Sequence, residues 1–268
     1  MQLVRVVATL SAFTSVSAAP GIATSFIRGL VPAKLYSGDS SNQLTDGTPC
    51  RAITIIYARG TTQSGNIGNS KSVGPITFDA LAKIVGPNRL AVQGVDYKAS
   101  FLGYAEGGQP KATDKMVELV KLAQTKCPAS KVFVVGYSQG AQVAHNVVNA
   151  LPAITAARIT GILTFGDPDA LQPVRTETLG KWKIICHDDD RLCAGSHIHV
   201  TLDHLNYQTD AKMAAEWIAA KAGMLPKWRG TGAPDALASG MGAPNLAAPN
   251  LAAPNLAASG GIAAAAAK

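Results

Sequence analysis

Gly136-Tyr137-Ser138-Gln139-Gly140 stands between an apolar run, Lys131 to Val135, and an Ala/Val-rich helical pattern, Ala141 to Leu151. A G-x-S-x-G turn in that setting restricts the fold to one in which a strand feeds directly into a helix. The flanking glycines let the two elements approach closely, and the serine, on a sharp strained turn, projects Oγ above the sheet edge. The helix N-terminus favours negative charge at that spot. Ser138 is therefore a candidate nucleophile, with an ordinary glycine-lined turn as the alternative.

The rest of the middle of the chain repeats this alternation. Strand-like stretches at Ala52 to Tyr57, Arg89 to Gly94, Lys131 to Val135, Gly161 to Phe165 and Trp182 to Cys186 are interleaved with helical patterns. The latter are Ile76 to Val85, Ala112 to Cys127, Ala141 to Leu151 and a final Asp210 to Ala222. Near-continuous Val/Ile runs are what strands covered on both faces require. The pattern predicts an α/β chain, three layers deep (α/β/α), around a central, mostly parallel sheet of about five strands.

Outside that unit the composition changes. Residues 1–19 read as a secretory signal, with Arg5 in the basic region, Val6 to Val16 apolar and Val16-Ser17-Ala18 as a small-residue cleavage pattern. Residues 20–49, rich in Gly, Ser, Asp and Pro, read as a leader arm or propeptide, and residues 50–226 as the catalytic domain. Residues 227–268 form a low-complexity tail in which Pro-Asn-Leu recurs at a five-residue period. That tail has too few large apolar residues for a core of its own. No stretch offers the roughly 20 apolar residues of a membrane span. The expectation is an exported, extracellular protein acting as a monomer.

Export makes the four cysteines informative, since an oxidising compartment favours disulfides. Cys186 and Cys193 lie close together around a turn-forming run and are paired locally, which leaves Cys50 with Cys127. In the chain-entropy account the longer bridge contributes about 4 kcal/mol. A zinc site built on Cys186, His187 and Cys193 lacks a matching ligand pair, and the acidic run Asp188 to Asp190 is too short for a hard cation, so no metal and no cofactor is expected. The formal charge of +7 comes from Lys and Arg scattered along the chain, which excludes a nucleic-acid footprint and reads as a solvated basic surface.

An activated serine needs a base, and the base an orienting carboxylate. In chain order after Ser138, Asp190 and His204 meet this need on segments following the last strand, with Asp190 inside the small Cys186–Cys193 ring. Asp188 and Asp189 read as solvated turn residues. His145, two turns into the helix after Ser138, reads as a helix-surface residue, and His197 and His199 as part of a loop rim. The backbone N–H of Gln139 and a donor from Thr61, in the loop after the first strand, are candidates for holding an oxyanion.

The constellation resembles the cutinase family of secreted fungal serine esterases over roughly Cys50 to Ala222. The residues that carry it are Tyr57-Ala58-Arg59-Gly60-Thr61, Thr125-Lys126-Cys127-Pro128, Gly136 to Gly140, Cys186-x3-Asp190-x2-Cys193-x-Gly195-Ser196 and His204-Leu205-x-Tyr207. The resemblance implies an α/β-hydrolase with Ser138, Asp190 and His204 as nucleophile, acid and base. It also implies an oxyanion hole of Thr61 and Gln139, and the same two bridges. The implied substrate is cutin or a related aliphatic polyester, a plant surface polymer among the candidates. Acetylxylan esterase activity and a non-catalytic elicitor or surface-binding role are the alternatives. Leu192 stands where family members carry Val or Ile, and His197, His199 and Asp203 occupy a segment where the family has an apolar loop.

Overall fold

The computed structural model describes residues 34–196 and 198–225. The proposed signal, the first part of the leader, His197 and the Pro-Asn-Leu tail lie outside the described residues. Five strands form one sheet: β1 (Ile53–Ala58), β2 (Leu90–Gly94), β3 (Lys131–Tyr137), β4 (Gly161–Phe165) and β5 (Trp182–Ile185). Their order is β2-β1-β3-β4-β5 and every pairing is parallel. The helices are α1 (Val73–Val85), α2 (Phe101–Ala105), α3 (Pro110–Lys126), α4 (Gln139–Ala150), α5 (Ala153–Ala157) and α6 (Ala211–Lys221).

Right-handed crossovers decide which face each helix covers. The chain leaves β1 toward β2 through α1, then returns past β1 to β3 through α3 and continues to β4 through α4. The reversal of direction puts α1 on one face and α3 with α4 on the other. Strand residues sort by parity to match. Ile53, Ile55, Tyr57, Phe133 and Val135 pack with Phe78 and Leu81 of α1 and Ile218 of α6. Ile56, Ala58, Val132 and Val134 pack with Met116 and Val120 of α3 and Val143 and Val147 of α4. The two chain directions part between β1 and β3, and the crevice at the carboxyl ends of such strands is where open α/β sheets bind ligands. Ser138 follows β3 and Thr61 follows β1, so both lie at that crevice.

Two disulfides tie the outer parts to this frame. Cys50–Cys127 joins the approach to β1 to the end of α3, and Cys186–Cys193 closes a ring immediately after β5. Residues 34–49, expected to belong to a leader, instead pack onto the domain. Tyr36 and Leu44 are buried in the two cores. Along the outer side of β2, Asn42 bridges Gln93, the Gln43 N–H donates to the Val92 carbonyl and the Gly94 N–H to the Ser41 carbonyl.

His145 corrects the surface assignment. It is 3% exposed, with Nε2 2.9 Å from Asp167 Oδ2 and its ring 4.5 Å from that of Trp182. Thr164 Oγ1 also donates to that carboxylate oxygen, at 2.7 Å. Helix α4 is buried from Gln139 to His145 and again at Val147 and Val148, so a histidine in it must find a buried partner.

Candidate active site

Ser138 has φ 56° and ψ −119°, a left-handed backbone region that costs a non-glycine residue on the order of 1–3 kcal/mol and is kept only where surrounding structure imposes it. The imposing contacts are visible. Its N–H donates to the Phe165 carbonyl on β4, and its carbonyl accepts from Ala141 in the first turn of α4. Close approach on the other side requires Gly140, since a Cβ there would lie 1.9 Å from the Ala58 carbonyl oxygen. The turn thus holds the serine hydroxyl above the carboxyl edge of the sheet.

Three side chains singled out from the sequence meet at this point. His204 Nε2 lies 2.9 Å from Ser138 Oγ, and His204 Nδ1 lies 2.8 Å from Asp190 Oδ2. All three residues are buried. The imidazole stacks on Tyr137, with ring centres 5.6 Å apart and planes at 24°, while the Tyr137 hydroxyl donates to the His204 carbonyl at 2.9 Å. Behind it sits Gly166, where a Cβ would come 2.8 Å from the imidazole. The ring is clamped on two sides.

Asp190 is held more tightly than the sequence suggests. Its Oδ2 accepts from the Tyr207 hydroxyl at 2.7 Å as well as facing His204, and its Oδ1 accepts from the Leu192 N–H at 3.1 Å. Burial alone pushes the carboxyl pKa up, but hydrogen bonds from His204, Tyr207 and Leu192 and the His204 charge outweigh it and hold it below the ordinary value. Asp188 and Asp189 on the same ring are exposed.

The position of Tyr207, three residues after His204, is the one sequence signal that it belongs here. Its hydroxyl also accepts from the His187 N–H at 3.0 Å, and the His187 ring stacks on it with centres 4.2 Å apart. His187 in turn has Nε2 2.7 Å from Asp210 Oδ2 and Nδ1 2.9 Å from the Asp203 carbonyl. Burial lowers the His187 pKa, and the bonds and charges of Asp210 and Asp203 together raise it further, for a net rise above the usual histidine value. A histidine pKa raised by folding contributes stability that is fully present below the unfolded value near 6.5 and is lost as pH climbs through the folded value. The melting-temperature gap between wild type and His187→Gln is therefore expected to be largest near pH 6 and to shrink toward pH 8. A gap independent of pH would show that the His187–Asp210 contact gains nothing from charge.

Gln139 is the first residue of α4, where a backbone N–H has no acceptor inside the helix. Thr61 faces it across the crevice, its hydroxyl donating to Gln139 Oε1 at 3.3 Å. The turn carrying Thr61 is braced by Arg59, which is buried, lies over the Tyr97 ring and donates to the Gln63 and Tyr97 carbonyls at 2.6 and 2.7 Å.

Ser138 and His204 open into a cleft of about 460 Å³, walled by Phe101, Tyr104, Leu192, Ile198 and Val200. Its rim is apolar and strongly exposed: Phe101 is 75%, Ile198 82% and Val200 60% exposed. His199, expected at the rim, turns to Ser196 Oγ at 2.9 Å, and its neighbours Ile198 and Val200 line the cleft.

The family model for Cutinase matches residues 49–222. The chain belongs to the cutinase family. A cutinase of Blumeria hordei is 37% identical over 187 residues, covering 70% of this chain and 78% of that protein. Cutinase pbc1 of Pyrenopeziza brassicae is 38% identical over 179 residues, or 66% and 87% of the two chains. The structure of Trichoderma reesei cutinase in complex with a C11Y4 phosphonate inhibitor aligns with TM-score 0.62 at 34% identity, covering 69% of this chain and 80% of that one. This member of the cutinase family is thus a carboxylic ester hydrolase with the α/β-hydrolase fold.

Proposed function

We propose that this cutinase-family protein is an exported serine esterase that cleaves aliphatic carboxylic esters, cutin-like polyesters among them, through an acyl-enzyme. The observation that carries the reading is the continuous hydrogen-bonded line from Ser138 Oγ through His204 to Asp190 on the floor of an apolar cleft. Ser138 Oγ attacks the ester carbonyl carbon while His204 Nε2 takes its proton. Asp190, kept ionised, stabilises the imidazolium and holds Nδ1–H toward itself. The oxyanion is received by the Gln139 N–H and a donor of Thr61. His204 then passes its proton to the departing alkoxide, and a water molecule repeats the path to release the acid and restore Ser138.

The exposed Phe101, Ile198 and Val200 on the cleft wall support an aliphatic acyl chain, since apolar surface of this kind gains from leaving water together with the substrate. Export is supported by the signal-like sequence of residues 1–19 and by the two disulfides, which persist in oxidising compartments. The test is a series of p-nitrophenyl esters from acetyl to dodecanoyl, run beside acetylated xylan. The expected kcat/KM rises from acetyl to a medium-chain acyl group, and xylan is left intact. A maximum at acetyl, with acetate released from xylan, would replace this reading by that of an acetylxylan esterase.

A further inference from the structure

The apolar cleft has a polar neighbour. Thr61, Thr62, Tyr137 and Leu205 line it and also line a second hollow of about 310 Å³. There the remaining walls are largely Gln63, Asn69, Lys71, Ser72 and Gln208, so amide, hydroxyl and ammonium groups stand where the first cleft presents Phe, Ile and Val. Tyr137 and Leu205 are the immediate chain neighbours of Ser138 and His204, and the hollow therefore begins within one residue of the reacting pair.

We propose that this hollow receives the alcohol half of the ester and is suited to a hydroxyl-rich alcohol of glycerol or sugar type. The proposal rests on the reading of Ser138 as the nucleophile with the acyl chain in the apolar cleft. With the chain among Phe101, Ile198 and Val200, the other arm of the ester must leave by a different wall, and the polar hollow shares the residues at the junction. Hydroxyls placed against the apolar wall would give up hydrogen bonds to water without replacement, whereas Gln, Asn, Ser and Lys side chains exchange them. The volume lies at the small end of the roughly 300–1,000 Å³ range of ligand pockets, which suits one compact polyol better than a second long chain. Gln208 adds an amide oxygen that has no hydrogen-bond partner among the described residues.

The experiment compares three octanoate esters that differ only in the alcohol: 1-monooctanoylglycerol, 6-O-octanoylglucose and butyl octanoate. In the wild type, kcat/KM for at least one polyol ester is expected to exceed that for the butyl ester by about tenfold, the worth of one or two net hydrogen bonds. The glycerol and glucose arms identify which alcohol the hollow takes. In Gln208→Leu/Lys71→Met the polyol-to-butyl ratio is expected to collapse toward one. Each ratio is measured on a single preparation, and Lys71→Met alone, at an exposed position, gives the same comparison should the double variant fail to fold. A wild type that cleaves butyl octanoate as well as both polyol esters, or a ratio unchanged in the variants, overturns the proposal. A wild type that cleaves none of the three overturns the esterase reading and this one with it.

Discussion

Replacing Ser138 by alanine is expected to lower kcat for ester cleavage roughly a millionfold, to the level left by binding and oxyanion donors alone. The melting temperature should change little. The turn is held by backbone bonds, from the Ser138 N–H to Phe165 and from Ala141 to the Ser138 carbonyl, and the hydroxyl's hydrogen bond runs to His204 Nε2. Alanine keeps those backbone bonds, so a change in rate without a change in fold isolates the nucleophile. A serine-directed alkylphosphonate should add its mass to the peptide containing Ser138 in the wild type and to no peptide in the variant. Hydrolysis within a hundredfold of wild type in Ser138→Ala would mean that another group attacks the ester.

Asp190→Asn is expected to cost about 10⁴ in kcat, because it reverses the tautomer of the base. Two donors, His204 Nδ1–H and the Tyr207 hydroxyl, converge on Oδ2, and a third, the Leu192 N–H, reaches Oδ1. An amide offers oxygen to one side only. With its oxygen toward Leu192, its NH₂ meets Tyr207 and donates to His204 Nδ1, so the imidazole proton moves to Nε2 and Ser138 loses its acceptor. With the oxygen toward His204, the NH₂ opposes the Leu192 N–H inside the stapled ring. The kcat for a medium-chain p-nitrophenyl ester measures this, and a loss of less than tenfold would show that His204 is oriented without Asp190.

Much of this arrangement was legible because it depends on local pattern. The β4 stretch Gly161 to Phe165 coincides with the observed strand, and the Val/Ile runs of β1, β2 and β3 were placed to within a residue or two. Helix α1 begins earlier than expected, at Val73, because Pro75 falls in its first turn, where a missing N–H removes no intrahelical bond. The short helices α2 and α5, five residues each, leave too little periodicity to read. Chain order and the Cys ring pointed to Ser138, Asp190 and His204. The His145–Asp167 pair and the His187–Asp210 contact are different in kind: they join residues 22 and 23 positions apart across separate elements. Nothing in the neighbouring sequence announces a partner that only tertiary packing supplies.

The strip from Ser41 to Gln43 along the outer side of β2 bears on maturation. A parallel sheet ends in a strand whose outward N–H and C=O groups would otherwise invite pairing with a second molecule, and here Ser41, Asn42 and Gln43 occupy that border. A protease that trimmed the chain back to the first disulfide would strip this border and turn a self-contained molecule into one with an adhesive margin. A cut that keeps this border covered therefore falls upstream of Ser41.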